Sequence, residues 1–248
     1  MSSASPLSVV AGVALFAASV TLAHGGTASF TFEQPVFDAN DITQLQTGTF
    51  PTAPETLPGG VNPDNARYIA SDRPAQGQTF TVLGAGLQVQ SITLQTSGAF
   101  RNIPQGTQIT LRLNTVVNTV LTPIYTDVAT LAPSPFTENA PVDYFTFVLA
   151  TPLPVSPGLT YGFDFGNTAG NPSDGGGGFY FRLDGAPNTA YTGGTAYSSG
   201  DRSGFGTTTA VYRETDRTFG ISLIPEPSVA LLALMSGAGV LGLVRRRA

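Results

Sequence analysis

The chain has 248 residues and a formal net charge of −5, with 41% hydrophobic and only 11% charged residues, 29 Gly, 19 Pro, one His, no Lys and no Cys. That length suits one ordinary domain with a signal at each end. Without Cys there are no disulfides, thiol catalysis or Cys-ligated zinc; a lone His excludes a Ser-His-Asp triad and an N/S zinc site, and the lack of Lys excludes Schiff-base and P-loop chemistry.

Residues 7–23 form an apolar run rich in Ala and Val, placed and sized like the h-region of a secretory signal peptide. Thr21 and Ala23 are small residues that suit signal peptidase, and Gly26-Thr27-Ala28 offers a second site. No Lys or Arg precedes the run, so its n-region has only the α-amino group. The single His, His24, flanks the first cleavage site.

The mature domain spans residues 28–223. Residues 28–33 (Ala-Ser-Phe-Thr-Phe-Glu) alternate apolar and polar side chains and predict an opening strand. Residues 35–63 lack periodicity and are rich in Pro, Gly, Thr and Asn, which predicts a long irregular segment. Strand signals then recur at short intervals: weakly over 66–71, clearly over 77–82, and over 87–95. In the last of these Leu87 and Val89 lie in one phase and Ile92 and Leu94 in the other, so a β-bulge is expected near Gln90-Ser91. Residues 108–114 alternate cleanly, with Ile109, Leu111 and Leu113 inward and Thr110 and Arg112 outward. Weaker strands are expected over 119–125 and 127–131.

Residues 143–149 place Phe145, Phe147 and Leu149 on one face, residues 159–165 do so with Tyr161 and Phe163, and residues 179–183 with Phe179, Phe181 and Leu183. Gly193-Gly194 interrupts 190–197 and suggests a hairpin, and residues 217–223 close the domain with Phe219, Ile221 and Leu223. No segment of the domain has a helical period. Many short alternating strands between Gly/Pro turns predict an all-β fold, a jelly-roll-like antiparallel β-sandwich.

The C-terminal segment, residues 224–248, has a different character. Pro225-Glu226-Pro227 precedes the uncharged apolar run 228–244, and Arg245, Arg246 and Arg247 follow. The run is at the short limit for a single transmembrane helix. The three Arg are its orientation signal, placing that end in the cytoplasm and Glu226 outside. With this cluster removed the domain is acidic, which disfavours nucleic acid as a partner.

Ile224-Pro225-Glu226-Pro227-Ser228, then Ala230-Leu231-Leu232-Ala233-Leu234 and Gly237-Ala238-Gly239, then Arg245-Arg246-Arg247, resemble the PEP-CTERM sorting signal of Gram-negative bacteria. The same tail is also described as an ice-binding protein C-terminal domain, a label that implies nothing about ice. The resemblance covers about a tenth of the chain. It implies export, transient holding in the inner membrane, and recognition by an exosortase at Pro225, Glu226 and Pro227. The product would reside at the cell surface or in the extracellular matrix. Gly77-Gln78-Thr79-Phe80-Thr81 and Pro157-Gly158-Leu159-Thr160-Tyr161 are similar to segments of the choice-of-anchor β-sandwich modules, a resemblance that transfers no ligand residues.

Other chemistry rests on scattered residues. Asp164, Asp174, Asp184 and Asp201 fall in or near loops rich in Gly and Asn, and such oxygen donors make calcium the one candidate metal; no other cofactor is implied. Tyr180, Arg182, Tyr191 and Tyr197 form a candidate glycan-binding face, with exopolysaccharide as the partner, although the lack of Trp weighs against it. Glu33, Glu55, Glu138 and Glu214 leave a carboxylate-dependent hydrolase formally open. The favoured function is an exported, non-catalytic surface or matrix protein. A carbohydrate-binding module and a secreted hydrolase are the alternatives.

Overall fold

A computed structural model of the chain describes residues 22–45, 68–69, 74–96, 108–131, 143–166, 181–182, 185–187, 191–199, 208–213 and 215–226. The expected signal peptide up to residue 21, residues 46–63 of the expected irregular segment, and the tail from Pro227 onward with its expected transmembrane helix lie outside them. The described residues are all-β, without a helix.

One sheet has seven strands in the order β1 (Leu22–His24), β8 (Val120–Thr130), β7 (Gln108–Val117), β10 (Thr160–Gly166), β5 (Ala75–Thr81), β13 (Ala196–Ser199) and β14 (Ala210–Tyr212). The other has five, in the order β2 (Thr27–Thr31), β9 (Asp143–Val155), β6 (Leu87–Thr96), β16 (Phe219–Pro225) and β3 (Ile42–Gln44). Two short pairs accompany them: β4 (Tyr68–Ile69) with β11 (Phe181–Arg182), and β12 (Gly185–Pro187) with β15 (Thr215–Arg217). Strand pairing is antiparallel except for β1 against β8.

The two-residue period explains why the sheets face each other. Ile109, Leu111 and Leu113 of β7 and Tyr161, Phe163 and Phe165 of β10 share one face with Phe80 of β5. Phe145 and Phe147 of β9, Ile92 and Leu94 of β6, and Phe219 and Ile221 of β16 answer from the other sheet. Rings interlock across the gap: Phe145 meets Phe165 edge-on at 5.3 Å, and Phe163 lies 5.5 Å from Phe219. Each fully buried Phe contributes on the order of 2–3 kcal/mol.

The expected bulge is present. Register shifts between Val89 and Ser91 against β9, and β16 compensates between Ser222 and Leu223. The hairpin expected over 190–197 does not form. Thr192-Gly193 is a turn, and Ala196–Ser199 instead joins β5 on one side and β14 on the other. Gly194 approaches the Thr79 backbone so closely that a Cβ there would lie 1.9 Å from its carbonyl oxygen, so the glycine serves sheet docking. The two weak strands of 119–131 are one continuous strand, β8, which shifts register against β7 opposite Leu113 and Asn114.

The large sheet also closes on itself. The β8 edge reaches the segment before β14 through the Val120–Thr209 bridge, with Leu121 N–H donating to Thr208 O and Ala210 N–H to Thr119 O, each at 2.7 Å. This curl encloses a second small core of Val116, Leu121, Tyr197 and Ala210, on the sheet face turned away from the first core.

Candidate functional site

β16 carries the chain into Pro225-Glu226-Pro227. Phe219, Ile221 and Leu223 point into the core, so the strand is anchored along its length. Pro225 pairs with Leu87 as the last residue of the strand, where a missing N–H is tolerated. The Glu226 N–H then donates to Gly86 O at 2.8 Å. Pro225 and Glu226 are therefore flush with one end of the sandwich, held by the β5–β6 turn. Pro227, Arg245, Arg246 and Arg247 lie outside the described residues.

Several loops gather at that end: 82–86, 117–120, 156–159 and 191–194. Antiparallel pairing of β10 with both β5 and β7 brings them together, and the Thr81 hydroxyl donates to Gly193 O at 3.1 Å. A groove of about 650 Å³ opens there between Asn40, Ile42, Leu83, Leu87, Tyr191 and Leu223.

The face enclosed by the curl holds a polar cluster. On one cross-strand rung stand Arg112 of β7, Asp164 of β10, Gly77 of β5 and Tyr197 of β13. The Arg112 guanidinium grips both Asp164 oxygens, Nε at 3.0 Å and a terminal nitrogen at 2.8 Å. The Tyr197 hydroxyl donates to Asp164 Oδ2 at 3.2 Å, and Asn114 Nδ2 reaches the same oxygen at 3.4 Å. Tyr197 and Asp164 are wholly buried and Arg112 is 6% exposed. Burial raises the Asp164 pKa above the ordinary carboxylate range, against the opposing pull of Arg112. Burial and the adjacent Asp164 push the Tyr197 phenol up as well.

Glycines make room for the ring. A Cβ on Gly77 would lie 2.8 Å from Tyr197 Cζ and 2.1 Å from the Phe163 carbonyl oxygen, and one on Gly162 would lie 2.7 Å from the Tyr197 hydroxyl.

Three further carboxylates act as clasps. Asp127 of β8 faces the core side, where Oδ1 accepts from the Gly26 and Val128 amides and Oδ2 from the Tyr125 hydroxyl and the Ala150 amide. Asp216 accepts from Gln78 Nε2 at 3.2 Å and from the Tyr191 amide at 3.1 Å. Burial raises its pKa despite those donors. In Asp41, Oδ1 accepts from the Leu223 amide and Oδ2 from the Asp38 amide, both at 2.7 Å. In all four of these Asp residues both oxygens accept hydrogen bonds from protein donors.

Of the expected ligand residues the structure describes Asp164, Arg182, Tyr191 and Tyr197. Of the calcium candidates, Asp164 is committed to Arg112, and Asp174, Asp184 and Asp201 lie outside the described residues. Among the described residues no group of three or more His, Asp or Glu side chains gathers. Of the glycan candidates, Tyr197 is enclosed by the curl, whereas Tyr191 packs edge-on against Phe219 at 5.1 Å, beside the main core. Arg182 sits in β11 opposite Tyr68, and Tyr180 lies outside the described residues. Tyr191 and Tyr197 thus serve different cores rather than a common exposed face.

Alternation correctly set Arg112 opposite the core leucines but gave no sign that its face would be covered. The usable signal was Arg112 and Asp164 at outward positions of two strands, with Gly162 two residues before Asp164 on the same strand and Gly77 on a third. It becomes a cluster only once register is known. No protein-family model matches the chain, and no curated protein sequence matches it.

Proposed function

We propose that this chain is an exported, non-catalytic protein of the cell surface or extracellular matrix, delivered and processed through its C-terminal segment. The carrying observation is the ordered series at the end of the sequence: Pro225-Glu226-Pro227, the uncharged apolar run 228–244, then Arg245, Arg246 and Arg247. An exosortase and the export machinery are the partners this implies. Support also comes from β16, which brings Pro225 and Glu226 to the rim of the sandwich, where a membrane enzyme can approach. The sandwich is read as jelly-roll-like, a scaffold whose described buried carboxylates hold the fold.

The N-terminal processing point follows from the same packing. Cleavage after Ala28 would cut through β2, whose five residues pair with β9, and would remove Gly26 from Asp127. Cleavage after Ala23 keeps both and takes only Leu22 and Ala23 from the three-residue β1. We therefore assign Ala23 as the end of the signal peptide.

The test expresses the full chain, a version lacking residues 225–248, and Glu226→Ala, in a host that carries an exosortase. Glu226→Ala retains the amide that binds Gly86 O, so it alters the motif without altering the fold. Intact mass of the full-chain product should show His24 as its first residue and loss of the tail near Pro225–Pro227. Glu226→Ala should accumulate unprocessed in the inner membrane. Full-length protein in the cytoplasm for both the full chain and the truncation would refute the reading.

A further inference from the structure

The end of the sandwich that releases the tail is also an apolar rim, and the geometry points to it as a surface that seats on a lipid bilayer. This inference rests on the reading of residues 228–244 as a membrane segment. Leu83 is 88% exposed, Val117 68%, Val120 52% and Leu159 49%, although nothing in strand alternation requires large apolar side chains in water there. They come from three separate turns. Leu83 opens the β5–β6 turn, Val117 and Val120 flank the two-residue β7–β8 turn, and Leu159 ends the β9–β10 turn. The β7–β8 turn is held in shape by Asn118 at φ 57°, a left-handed conformation that Asn tolerates.

Charge and chain length select the partner. Loops 82–86, 117–120, 156–159 and 191–194 hold no charged side chain, and the exit segment 225–226 holds only Glu226. Asp38 and Asp41 flank the rim, and no basic residue lies in these loops to attract anionic headgroups. A neutral, zwitterionic lipid surface therefore fits better than an anionic one or an acidic protein. Only Pro227 separates Glu226 from Ser228, a reach of at most about 7 Å. Glu226 is itself tied to Gly86 in the same turn as Leu83. A membrane segment starting at Ser228 cannot extend without bringing this rim to the interface, where Leu and Val side chains gain by leaving water. The rim then orients the domain on the bilayer while the tail is read, instead of leaving it to swing from a tether.

The absence of Cys makes the test direct. The full chain is reconstituted in phosphatidylcholine–phosphatidylethanolamine vesicles with an environment-sensitive fluorophore on Ala85→Cys, on Thr119→Cys, or on Thr130→Cys at the far end of β8. Flotation is measured independently of fluorescence. Quenching by lipid-attached spin label is expected at Ala85 and Thr119 and not at Thr130. It should survive insertion of a flexible spacer of about ten residues between Pro227 and Ser228, which adds roughly 15–20 Å of reach. Leu83→Asp with Leu159→Asp in the spacer-bearing chain should reduce the quenched fraction about tenfold.

If the chain floats but the rim positions are not quenched, the docking surface is wrong and the membrane segment stands. Quenching that vanishes with the spacer alone shows tether-imposed proximity, which also overturns docking. A chain that does not float overturns the reading of residues 228–244 and the docking with it.

Discussion

Arg112→Met tests whether the curled face of the large sheet is as dry as its geometry requires. The substitution keeps much of the stem volume and removes the cation that holds both Asp164 oxygens at 2.8 and 3.0 Å. A carboxylate with no exposed surface would be left with only the neutral side chains of Asn114, Tyr197 and Ser199 as polar neighbours. Removing one partner of such a buried pair costs about 3–5 kcal/mol. For a domain of this size each kcal/mol moves Tm by about 2–4 °C, so the expected fall is on the order of 6–20 °C. Adding Asp164→Asn removes the stranded charge and keeps an acceptor for Tyr197. The double variant should therefore be more stable than Arg112→Met alone at pH 7, by about 1 kcal/mol or more. The measurement is urea unfolding followed by circular dichroism, since the chain has no Trp. Lowering the pH toward 4 should shrink the cost of the single variant, because the stranded carboxylate protonates. A single-variant cost below about 1 kcal/mol, or a double variant that loses the full sum of the two singles, would mean a solvated pair and would refute the dry interior.

The glycines under Tyr197 should differ in tolerance. Gly77→Ala meets a backbone oxygen at 2.1 Å and must displace a strand, whereas the nearest contacts of Gly162→Ala are side-chain atoms of Tyr197 and Val116 that can yield. Thermal unfolding should rank Gly77→Ala as the more damaging, with Gly162→Ala losing about 1–3 kcal/mol, and the reverse order would contradict the packing. Asp216 supplies a pH signature. Its folded pKa lies above the unfolded value of about 3.9, so in that interval the folded state binds more protons and stability falls as pH rises. The contribution is fully present below about pH 4 and is lost as pH climbs through the folded pKa. Asp216→Asn should remove that decline, so wild-type stability drops relative to the variant from about pH 4 upward. A stability difference that stays constant with pH would exclude the shift.

Local periodicity made much of the sandwich legible. Phe145 and Phe147, Tyr161 and Phe163, and Phe219, Ile221 and Leu223 each announce their strand because side chains alternate between faces whatever the strand pairs with. The bulge near Ser91 was legible for the same reason, as a change of phase between Val89 and Ile92 that only an extra residue can absorb. The motif at Pro225–Pro227, with its apolar run and Arg cluster, is likewise a linear pattern, and the sorting proposal takes its content from it.

Contacts distant in the chain had to come from the fold. Arg112 and Asp164 are 52 residues apart, and Gly26 and Asp127 are separated by 101. Alternation fixes which face a side chain takes but not which strands neighbour each other or what covers the face. Thus Tyr197, placed by sequence on a sugar-binding surface, is a buried ring because the β8 edge meets the segment before β14. Asp164, placed near a cation, already has Arg112. The sequence by itself determined most of the strands and their inward faces, since both are periodic; it missed β3, which pairs with β16 from within the stretch 35–63 expected to be irregular. Tertiary structure decided the carboxylate clasps, the enclosed tyrosine and the meeting of the tail's exit with an apolar rim, because each depends on register and on sheet curvature that bring distant residues together.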